Sequence, residues 1–443
     1  MFKENIKQVE KENLIENIIP LKGGRYLYLC DYNQVINSCV KDLFFKHEAE
    51  RKIIVYDVTV DEETAAKKVR KLATVAIEMT ENCNLRCKYC VFSDHYNYRR
   101  NRTPRQMRFD IARKGVDYIY SLIKDRRMKE FSIGFYGGEP LLNFAAVKKI
   151  TNHSKELFRD WNLHFNITTN LTLLDDENLD FMAANDFAIL VSLDGGPESH
   201  DCKRVFADGQ GSFDAVYRNL DKILKRYPQF YEKIGFSGVF SPDLSLKKMH
   251  EFFSNNELVK DRRVRYSLVS PCTDSYFKLY QPDWGKYRRE YEEVQSCILE
   301  KLKNKQELTG YETFLFNETR KLTQSLNIRS DTTMAGACLF DSRLFLDVNG
   351  RFHICERINN TFSTGDVERG FDFRKMAIIA AEYAEFTKNH CSTCKVRFLC
   401  NRCYAQFADD GKFKFEPVFC RSQQASIIRS LERYIDYKEE GLL

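Results

Sequence analysis

The sequence predicts an α/β fold built on a partial (β/α)6 barrel of the TIM type. Between residues 73 and 275, short runs rich in β-branched and aromatic residues alternate with longer amphipathic segments, the pattern of βα units around a parallel sheet. Glycine and polar motifs follow several of these runs directly, where the loops of barrel active sites lie. The six predicted strands are 74–79, 131–136, 164–169, 187–193, 234–240 and 264–269.

The rest of the chain divides into three regions. Residues 1–72 contain a predicted strand at 23–30 and a helical run near 62–71, which predicts a small α/β module. Charged helices are predicted for 276–337, where they bridge the barrel and a last region, 338–443. A chain of 443 residues with 43% apolar residues is large enough for two or three packed domains.

Composition excludes several function classes. There is no run of about eighteen apolar residues and no signal-peptide core, so we expect a cytoplasmic protein without a membrane partner. The net charge of +6 is well short of a nucleic-acid footprint, and the basic run at 99–105 is interpreted as a solvated loop. In a reducing compartment, 15 cysteines indicate metal binding in preference to disulfides.

Three cysteines in a CxxxCxxC spacing, Cys83, Cys87 and Cys90, follow the first predicted strand. Asn82 and Asn84 favour a loop at this point. A [4Fe-4S] cluster normally takes four thiolates, so three on one loop leave one iron for an exogenous ligand. The alternative is three buried cysteines on one helix face, because spacings of four and three also suit a helix.

With Tyr89 as the aromatic residue before the last cysteine, this loop resembles the cluster-binding loop of the radical S-adenosylmethionine (SAM) superfamily. Gly137, Gly138 and Glu139 follow the second predicted strand and resemble the GGEP segment of that family. The resemblance implies that the glycines let backbone carbonyls approach the SAM ammonium group and that Glu139 adds a charge-assisted hydrogen bond. Taken alone, the segment would be interpreted as a common turn.

The segment from Ser192 to Arg204 is similar to the SLDGP...HD..R stretch of radical SAM enzymes that carry a C-terminal SPASM extension. The resemblance implies that Ser192 and Arg204 contact the SAM carboxylate, since a hydroxyl and a guanidinium both donate hydrogen bonds. Leu268, near the end of the sixth predicted strand, is assigned to SAM binding as well. Without this context, a turn followed by a surface arginine would be the interpretation.

The last region holds seven cysteines, and their spacing is similar to the SPASM pattern. The resemblance implies two auxiliary [4Fe-4S] clusters. The implied ligands are, for the outer cluster, Cys391, Cys394, Cys400 and Cys420, and, for the inner cluster, Cys338, Cys355 and Cys403. Seven thiolates leave the eighth position of the two clusters open or filled by another ligand.

A zinc ribbon is the competing interpretation of this region, because paired CxxC knuckles bind zinc. Only five residues separate Cys394 from Cys400, fewer than zinc ribbons usually place between their knuckles. The two residues between Cys400 and Cys403 also depart from the usual SPASM spacing, which puts the pairing of cysteines in question.

Two more assignments follow from the resemblance. Glu356, directly after Cys355, matches the position of an aspartate that takes a substrate proton in anaerobic sulfatase-maturing relatives, so it is a candidate general base. A surface glutamate beside a metal ligand is the alternative. Peptide-modifying relatives often carry a winged-helix module where residues 1–72 lie, and it grips the leader of a precursor peptide by strand addition. A barrel-capping extension is the alternative.

The resemblance as a whole implies a radical SAM/SPASM enzyme with SAM and three [4Fe-4S] clusters, one SAM-binding and two auxiliary. An external donor of the flavodoxin or ferredoxin type supplies electrons, and a 5'-deoxyadenosyl radical abstracts hydrogen from substrate. The expected substrate is a ribosomally synthesised precursor peptide with a leader, in which a cysteine sulfur is joined to carbon as in sactipeptides and ranthipeptides. Carbon-carbon crosslinking of a peptide, sulfatase maturation and a non-catalytic Fe-S electron-transfer scaffold are the alternatives.

Overall fold

The structure is a computed structural model, and most of the chain is described by it. The described residues are the strands at 18–20, 26–30 and 34–38, and residues 60–93, 95, 102–269, 274–320, 340–357, 360–391, 393–394, 396, 399–400 and 404–443. No helix within this part of the chain is long and apolar enough to cross a lipid bilayer. Cys338 and Cys403, two of the predicted cluster ligands, lie outside the described residues.

A small antiparallel sheet comes first in the chain. Strand β1 (Ile18–Pro20) pairs with β2 (Tyr26–Cys30), which pairs in turn with β3 (Gln34–Ser38). The strand predicted at 23–30 corresponds to β2. The three strands are joined by short connections, which is the arrangement that an antiparallel sheet allows.

Helix α1 (Glu62–Val69) follows the small sheet. Its amino end is capped by Asp61, which accepts a hydrogen bond from the Thr64 amide at 2.8 Å. Ala65 and Val69 are buried in the same apolar core as the central sheet. This helix is therefore part of the central body, although it lies within the predicted N-terminal region.

Six parallel strands in chain order form the middle of the main sheet. All six predicted strands are confirmed, and their ends differ from the prediction by at most two residues. The strands are β4 (Thr74–Glu78), β5 (Glu130–Tyr136), β6 (Asn162–Thr169), β7 (Ala188–Ser192), β8 (Gly235–Phe240) and β9 (Arg263–Leu268).

Helices connect these strands. Right-handed crossovers between sequential parallel neighbours place the connecting helices on one face of a sheet. The helix Phe213–Arg226 shows why the sequence forms them, because it buries Phe213, Val216, Leu220 and Ile223 along one stripe. The helices are α2 (Phe109–Ile123), α3 (Phe144–Leu157), α4 (Asp176–Ala184), α5 (Pro197–His200), α6 (Phe213–Arg226), α7 (Pro228–Tyr231) and α8 (Leu246–Asn255).

The six parallel strands have two different faces, because side chains alternate along each strand. The outer face packs against the helices, and its buried members include Ile133, Phe135, Ile167, Val191 and Phe236. The inner face carries the alternate residues, which the strand register aligns from strand to strand, and its members include Ser132, Gly134, His164, Asn166, Ser237 and Arg265. A parallel sheet with helices on one face only shields the other face by curling, as in a barrel.

Three more helices follow β9: α9 (Asp274–Leu279), α10 (Trp284–Lys303) and α11 (Gly310–Arg320). Helix α11 packs against β9, where the Tyr311 and Tyr266 rings meet edge to face with centroids 6.1 Å apart. The outer face of the last parallel strand is thereby covered. The helical prediction for 276–337 is confirmed over the described residues.

The C-terminal region extends the main sheet. Strand β10 (Arg343–Leu346) lies parallel to β4, and three antiparallel strands continue from it. These are β11 (Arg351–His353), β12 (Ser363–Asp366) and β13 (Gly370–Phe371). The remaining elements are α12 (Phe373–Cys391), α13 (Tyr404–Phe407), β14 (Ala408–Asp409), β15 (Lys412–Phe413) and α14 (Pro417–Glu439). The region that holds seven cysteines therefore shares its main sheet with the barrel.

Candidate active site

The cysteine loop follows β4 and is held in an extended path by backbone hydrogen bonds. The Arg86 amide donates to the Val205 carbonyl at 2.7 Å, and the Lys88 amide donates to the Lys203 carbonyl at 2.9 Å. Residues 83–90, all of which are described, contain no helix. The alternative of three cysteines on one helix face is therefore wrong.

The three thiols of this loop are half-buried. The Asn170 side chain donates to the Cys83 sulfur, with Nδ2 and Sγ 3.7 Å apart, and Arg204 Nη1 lies 3.8 Å from the Cys87 sulfur. Burial is the main cause that raises the pKa of the Cys83 thiol to about 11 and that of Cys87 to about 12. The charge of Glu139 adds to the effect at Cys83, and neighbouring thiols add to it at both. Iron would stabilise the thiolates that this crowding disfavours, so the donor set fits a three-cysteine [4Fe-4S] site.

The two glycines after β5 clamp the start of the cysteine loop. Gly137 has a φ of 128°, and a Cβ on Gly138 would lie 1.9 Å from the Asn82 carbonyl oxygen. The Gly138 amide donates to the Thr80 carbonyl at 2.7 Å, and the Glu139 amide donates to the Asn82 carbonyl at 2.9 Å. Glycine is required here because two backbone segments touch, a reason that the sequence pattern alone did not provide.

Glu139 is buried between the ends of β5 and β6, with only 1% of its surface exposed. Its carboxylate accepts hydrogen bonds from the Thr169 hydroxyl at 2.6 Å, the Asn170 amide at 2.7 Å and the Leu141 amide at 3.1 Å. Burial raises its pKa to about 7, although these donors act in the opposite direction. A cation placed beside Glu139 would lower that pKa and favour the charged form.

Asp194 organises the opposite side of the cysteine loop. Its Oδ2 accepts a hydrogen bond from Arg204 Nε at 2.9 Å and a second one from the Tyr89 hydroxyl. Its Oδ1 accepts from the Val239 amide at 2.8 Å. The guanidinium of Arg204 also lies over the Tyr89 ring, 5.4 Å from its centroid. One buried carboxylate therefore orients Tyr89 of the cluster-binding loop and Arg204, which was assigned to the SAM carboxylate.

Ser192 and Leu268 lie at the carboxyl ends of their strands. Ser192 ends β7 on the inner face, where it is half-buried and paired with Ser237 of β8. Leu268 ends β9 and is paired with Phe240, so its side chain lies on the outer-face side, and 37% of the residue is exposed. Leu268 can therefore present its backbone, more readily than its side chain, to the interior.

Glu356 lies close to the end of β5. It forms an ion pair with Arg343, with Nη1 and Oε1 3.4 Å apart, and its side chain is only 12% exposed. Tyr136 ends β5, and its pKa is raised to about 12 by burial and next by the charge of Glu356, with Cys90 contributing as well. Glu356 and Cys90 of the cysteine loop therefore both lie near Tyr136. A surface glutamate is not what the structure shows.

Four cysteines of the predicted outer auxiliary cluster are described. The Cys394 amide donates to the Cys391 carbonyl at 3.0 Å, and Cys400 is buried. Gln424, one turn after Cys420 on α14, donates to the Cys394 sulfur at 3.3 Å. The structure therefore brings the end of α12 and the start of α14 together around these thiols.

Of the predicted inner-cluster ligands, only Cys355 lies in the described part of the chain. It follows β11, is half-buried and packs against the main apolar core. The predicted ligands Cys338 and Cys403 lie outside that part.

The three-thiol loop after the first parallel strand and the Gly137–Glu139 turn lie within one segment that is similar to a known family. Residues 77–245 match the family model described as the Radical SAM superfamily. This match spans the cysteine loop, the glycine turn and the Asp194–Arg204 pair.

Individual proteins are also similar to this chain. The chain is 29% identical over 46% of its length to a cysteine-type anaerobic sulfatase-maturating enzyme of Clostridium novyi, of which the match covers 52%. It is 23% identical over 52% of its length to the radical SAM cyclopropyl synthase TigE of Paramaledivibacter caminithermalis, of which the match covers 48%. The chain thus matches about half the length of these relatives.

The fold has a solved counterpart. The structure of native anSMEcpe with bound AdoMet and the Cp18Cys peptide superimposes with a TM-score of 0.61 at 17% identity, covering 84% of this chain and 98% of that one. At this level of identity the likeness concerns the fold.

Sequence reasoning assigned no role to Asp194 or to the pair Thr169 and Asn170. All three lie within two residues of a strand's carboxyl end, which is where the polar motifs that follow the predicted strands already lay. Nothing in the sequence indicates that they contact Tyr89, Arg204 or Glu139, because those contacts join different strands.

Proposed function

We propose that this protein is a radical SAM enzyme that modifies a ribosomally synthesised precursor peptide, most specifically by joining a cysteine sulfur to a carbon as a thioether. The observation that carries the proposal is the position of the Cys83, Cys87 and Cys90 loop between Glu139 on one side and Arg204 on the other. Such a site has thiols for a cluster, an anion for an ammonium group and a cation for a carboxylate.

In this proposal, the three cysteines hold a [4Fe-4S] cluster, and SAM completes its coordination. Arg204 uses Nε for Asp194 and Nη1 toward Cys87, which leaves the other edge of its planar guanidinium for the SAM carboxylate, assisted by Ser192. Glu139 accepts from the SAM ammonium group, and the backbone of Leu268 borders the adenosine. When bound, the cluster and SAM supply a 5'-deoxyadenosyl radical, and the residues of the chain hold the cofactor and exclude water.

Three observations support a peptide as substrate. The inner face is polar over much of its length, and it leads to the carboxyl edge where the site lies. The strands β1 to β3 form a separate small sheet whose outer strands have edges for the addition of a leader strand. Among the relatives, the solved anSMEcpe structure carries a bound peptide.

The C-terminal cysteines are proposed to hold the two auxiliary clusters of a SPASM domain. Cys391, Cys394, Cys400 and Cys420 are the proposed outer ligands, and the contact of Gln424 with the Cys394 sulfur supports their grouping. Cys338, Cys355 and Cys403 are the proposed inner ligands, and the open iron of that cluster would bind the substrate thiolate. Glu356 is the proposed base.

The electron donor is proposed to be a flavodoxin or ferredoxin. These are small proteins, and an acidic one would be attracted by positive charge near the cluster that it reduces. Arg86 is exposed on the cysteine loop itself, and its Nη1 donates to the Leu85 carbonyl at 2.9 Å, which holds the side chain against the loop.

The test is mass spectrometry of the anaerobically reconstituted protein with SAM, dithionite and the peptide encoded beside it. Production of 5'-deoxyadenosine identifies the reaction class. A peptide that loses two hydrogens, and whose cysteine no longer reacts with an alkylating reagent, identifies the thioether, because forming the bond removes one hydrogen each from sulfur and carbon.

A variant and its control test the role of the cysteine loop, and two further outcomes would contradict the proposal in part or in whole. Cys87→Ala should lose 5'-deoxyadenosine formation, whereas Cys202→Ala, which changes an exposed cysteine outside the loop, should keep it. Two hydrogens lost with an alkylatable cysteine would instead favour carbon-carbon crosslinking. Full iron content without SAM cleavage would contradict the whole proposal.

A further inference from the structure

The inner face contains two arginines that the proposed SAM site does not use. Arg263 and Arg265 lie on β9, where they alternate with Val264 and Tyr266. Val264 is buried, and Tyr266 contacts helix α11 through the Tyr311 ring. Because neighbouring residues of a strand point to opposite sides, the two arginines point to the inner face.

The strand register aligns Arg265 with the site. Ser192 of β7 pairs with Ser237 of β8, and Ser237 pairs with Arg265. These three residues therefore lie in one row across the inner face. Two strand spacings separate the Cα atoms of Ser192 and Arg265 by about 10 Å. A guanidinium on a three-carbon stem can span much of that distance.

Both arginines are accessible and lack an ionic partner among the described residues. Each is exposed, although it faces the side opposite to the helices. No carboxylate in the described ranges forms an ion pair with Arg263 or Arg265. Two unpaired cations within the curled sheet are thus open to a ligand.

The surroundings of the two arginines favour an extended chain as that ligand. The residues that pair with them on β8 are Gly235 and Ser237, which are small, so β8 places no bulky side chain beside the two arginines. A closed barrel would instead fill this space with large branched side chains. A guanidinium binds a carboxylate through two parallel hydrogen bonds, a geometry that lysine cannot reproduce.

We propose that Arg263 and Arg265 form a carboxylate-binding subsite on the inner face, which selects peptide substrates with an aspartate or glutamate close to the residue that is modified. This inference rests on the proposed function, because it requires a peptide to enter the inner face. It assigns the substrate class more narrowly, as an acidic peptide. The carboxylate of SAM carries the same chemistry, so the experiment must separate the two sources.

The experiment is a selection of displayed random 12-residue peptides on the anaerobic holoenzyme with SAM present. Peptides retained by the unchanged protein should be enriched in aspartate and glutamate by several-fold over the starting library. The double variant Arg263→Gln, Arg265→Gln should lose that enrichment. The single variant Arg265→Lys should keep part of the enrichment, since lysine keeps the positive charge but lacks the bidentate geometry. Calorimetric titration with SAM is carried out on each variant.

A matched control removes the same charge elsewhere. Arg127 and Arg159 are exposed and lie in the connections that precede β5 and β6. The double variant Arg127→Gln, Arg159→Gln should keep the acidic enrichment, because general attraction to a basic protein would fall equally in both double variants.

Four outcomes separate the possibilities. The double variant Arg263→Gln, Arg265→Gln is the β9 variant. If the acidic enrichment is lost in the β9 variant but not in the control, and SAM affinity is unchanged, the subsite is supported. Retained peptides without acidic enrichment overturn the subsite but leave the peptide-modifying function standing. A tenfold or larger loss of SAM affinity in the β9 variant assigns the arginines to the cofactor and also overturns the subsite. Failure to retain any peptide overturns the subsite and leaves the proposed function to its own test, because these peptides carry no leader.

Discussion

The outer and inner faces of the parallel sheet belong to the same six strands but carry opposite chemistry. The outer face stacks aromatic rings, as where Phe135 meets Phe165 and Phe187 with centroids 6.4 and 5.8 Å away. The inner face carries groups that hydrogen-bond, as where the Asn166 side chain donates to the Ser132 hydroxyl at 2.9 Å. The outer face therefore stabilises the fold, and the inner face offers polar groups for binding a ligand.

Gly134 shows how closely polar side chains pack on the inner face. A Cβ at this position would lie 2.7 Å from the Asn166 Oδ1 atom on the next strand. On the outer face, its neighbour Phe135 fills space, because apolar burial stabilises the fold by about 25 cal/mol per Å². On the inner face, an absent side chain keeps room for a polar one. The predictions that follow test this division of roles.

The largest effect is expected where the carboxyl edge of the sheet carries the cysteine loop. Changing Cys83, Cys87 and Cys90 together to alanine should remove about four irons per chain and abolish 5'-deoxyadenosine formation, because one [4Fe-4S] cluster is lost. Iron analysis and chromatography of the nucleoside product measure this. Retention of all iron in the triple variant would show that the loop holds no cluster.

The next effect compares two neighbours on β8 that face opposite sides. Phe236 is fully buried on the outer face, so Phe236→Ala should lower the free energy of unfolding by about 3–5 kcal/mol. Ser237 lies on the inner face and is half-buried, so Ser237→Ala should change it by less than about 1 kcal/mol. Urea denaturation followed by circular dichroism measures both. Equal losses would contradict the division between the faces.

The third effect is a pH dependence that comes from Glu139. Its pKa in the folded protein is raised to about 7 from the ordinary 4.5, so unfolding is accompanied by proton release between these values. The stability of the cluster-free protein should therefore be greatest below pH 4.5 as far as Glu139 is concerned. It should fall as pH rises to about 7, by about 3 kcal/mol in total.

Glu139→Gln should flatten that part of the profile, because glutamine does not ionise. The free energy of unfolding, measured by urea denaturation at several pH values from 4.5 to 8, should lose its slope in the variant. Glu177→Gln is the matched control, since this carboxylate is exposed and its removal leaves the buried one in place. An unchanged slope in Glu139→Gln would show that another group carries the proton.

The smallest effect concerns the ion pair between Asp194 and Arg204, in which Asp194 positions the guanidinium. Asp194→Asn keeps the shape of the side chain but removes the charge that faces Arg204, which should lower the free energy of unfolding by about 2 kcal/mol. The same change should weaken SAM binding, since Arg204 loses the orientation that Asp194 provides. Calorimetric titration with SAM measures the second effect. Unaltered SAM affinity would show that the Asp194–Arg204 ion pair does not contribute to SAM binding.

Much of the site could be predicted because its signals are local. The spacing of Cys83, Cys87 and Cys90 and the turn at Gly137 and Gly138 are readable along the chain, and the strands that precede them show as short apolar runs. No role could be predicted for Asp194, because it acts through hydrogen bonds to Tyr89 and Arg204, which are distant in sequence. An aspartate after a strand is too common to indicate a buried ion pair.

The sequence by itself determined the six parallel strands of this protein and their order, because backbone preferences and side-chain periodicity act over a few residues. Only the tertiary structure decided which elements meet. It placed β10 beside β4, brought Glu356 close to Tyr136, and aligned Arg265 with Ser192 across three strands. The physical reason is that such pairings are selected by the burial and register of the whole sheet, which no local stretch of residues contains.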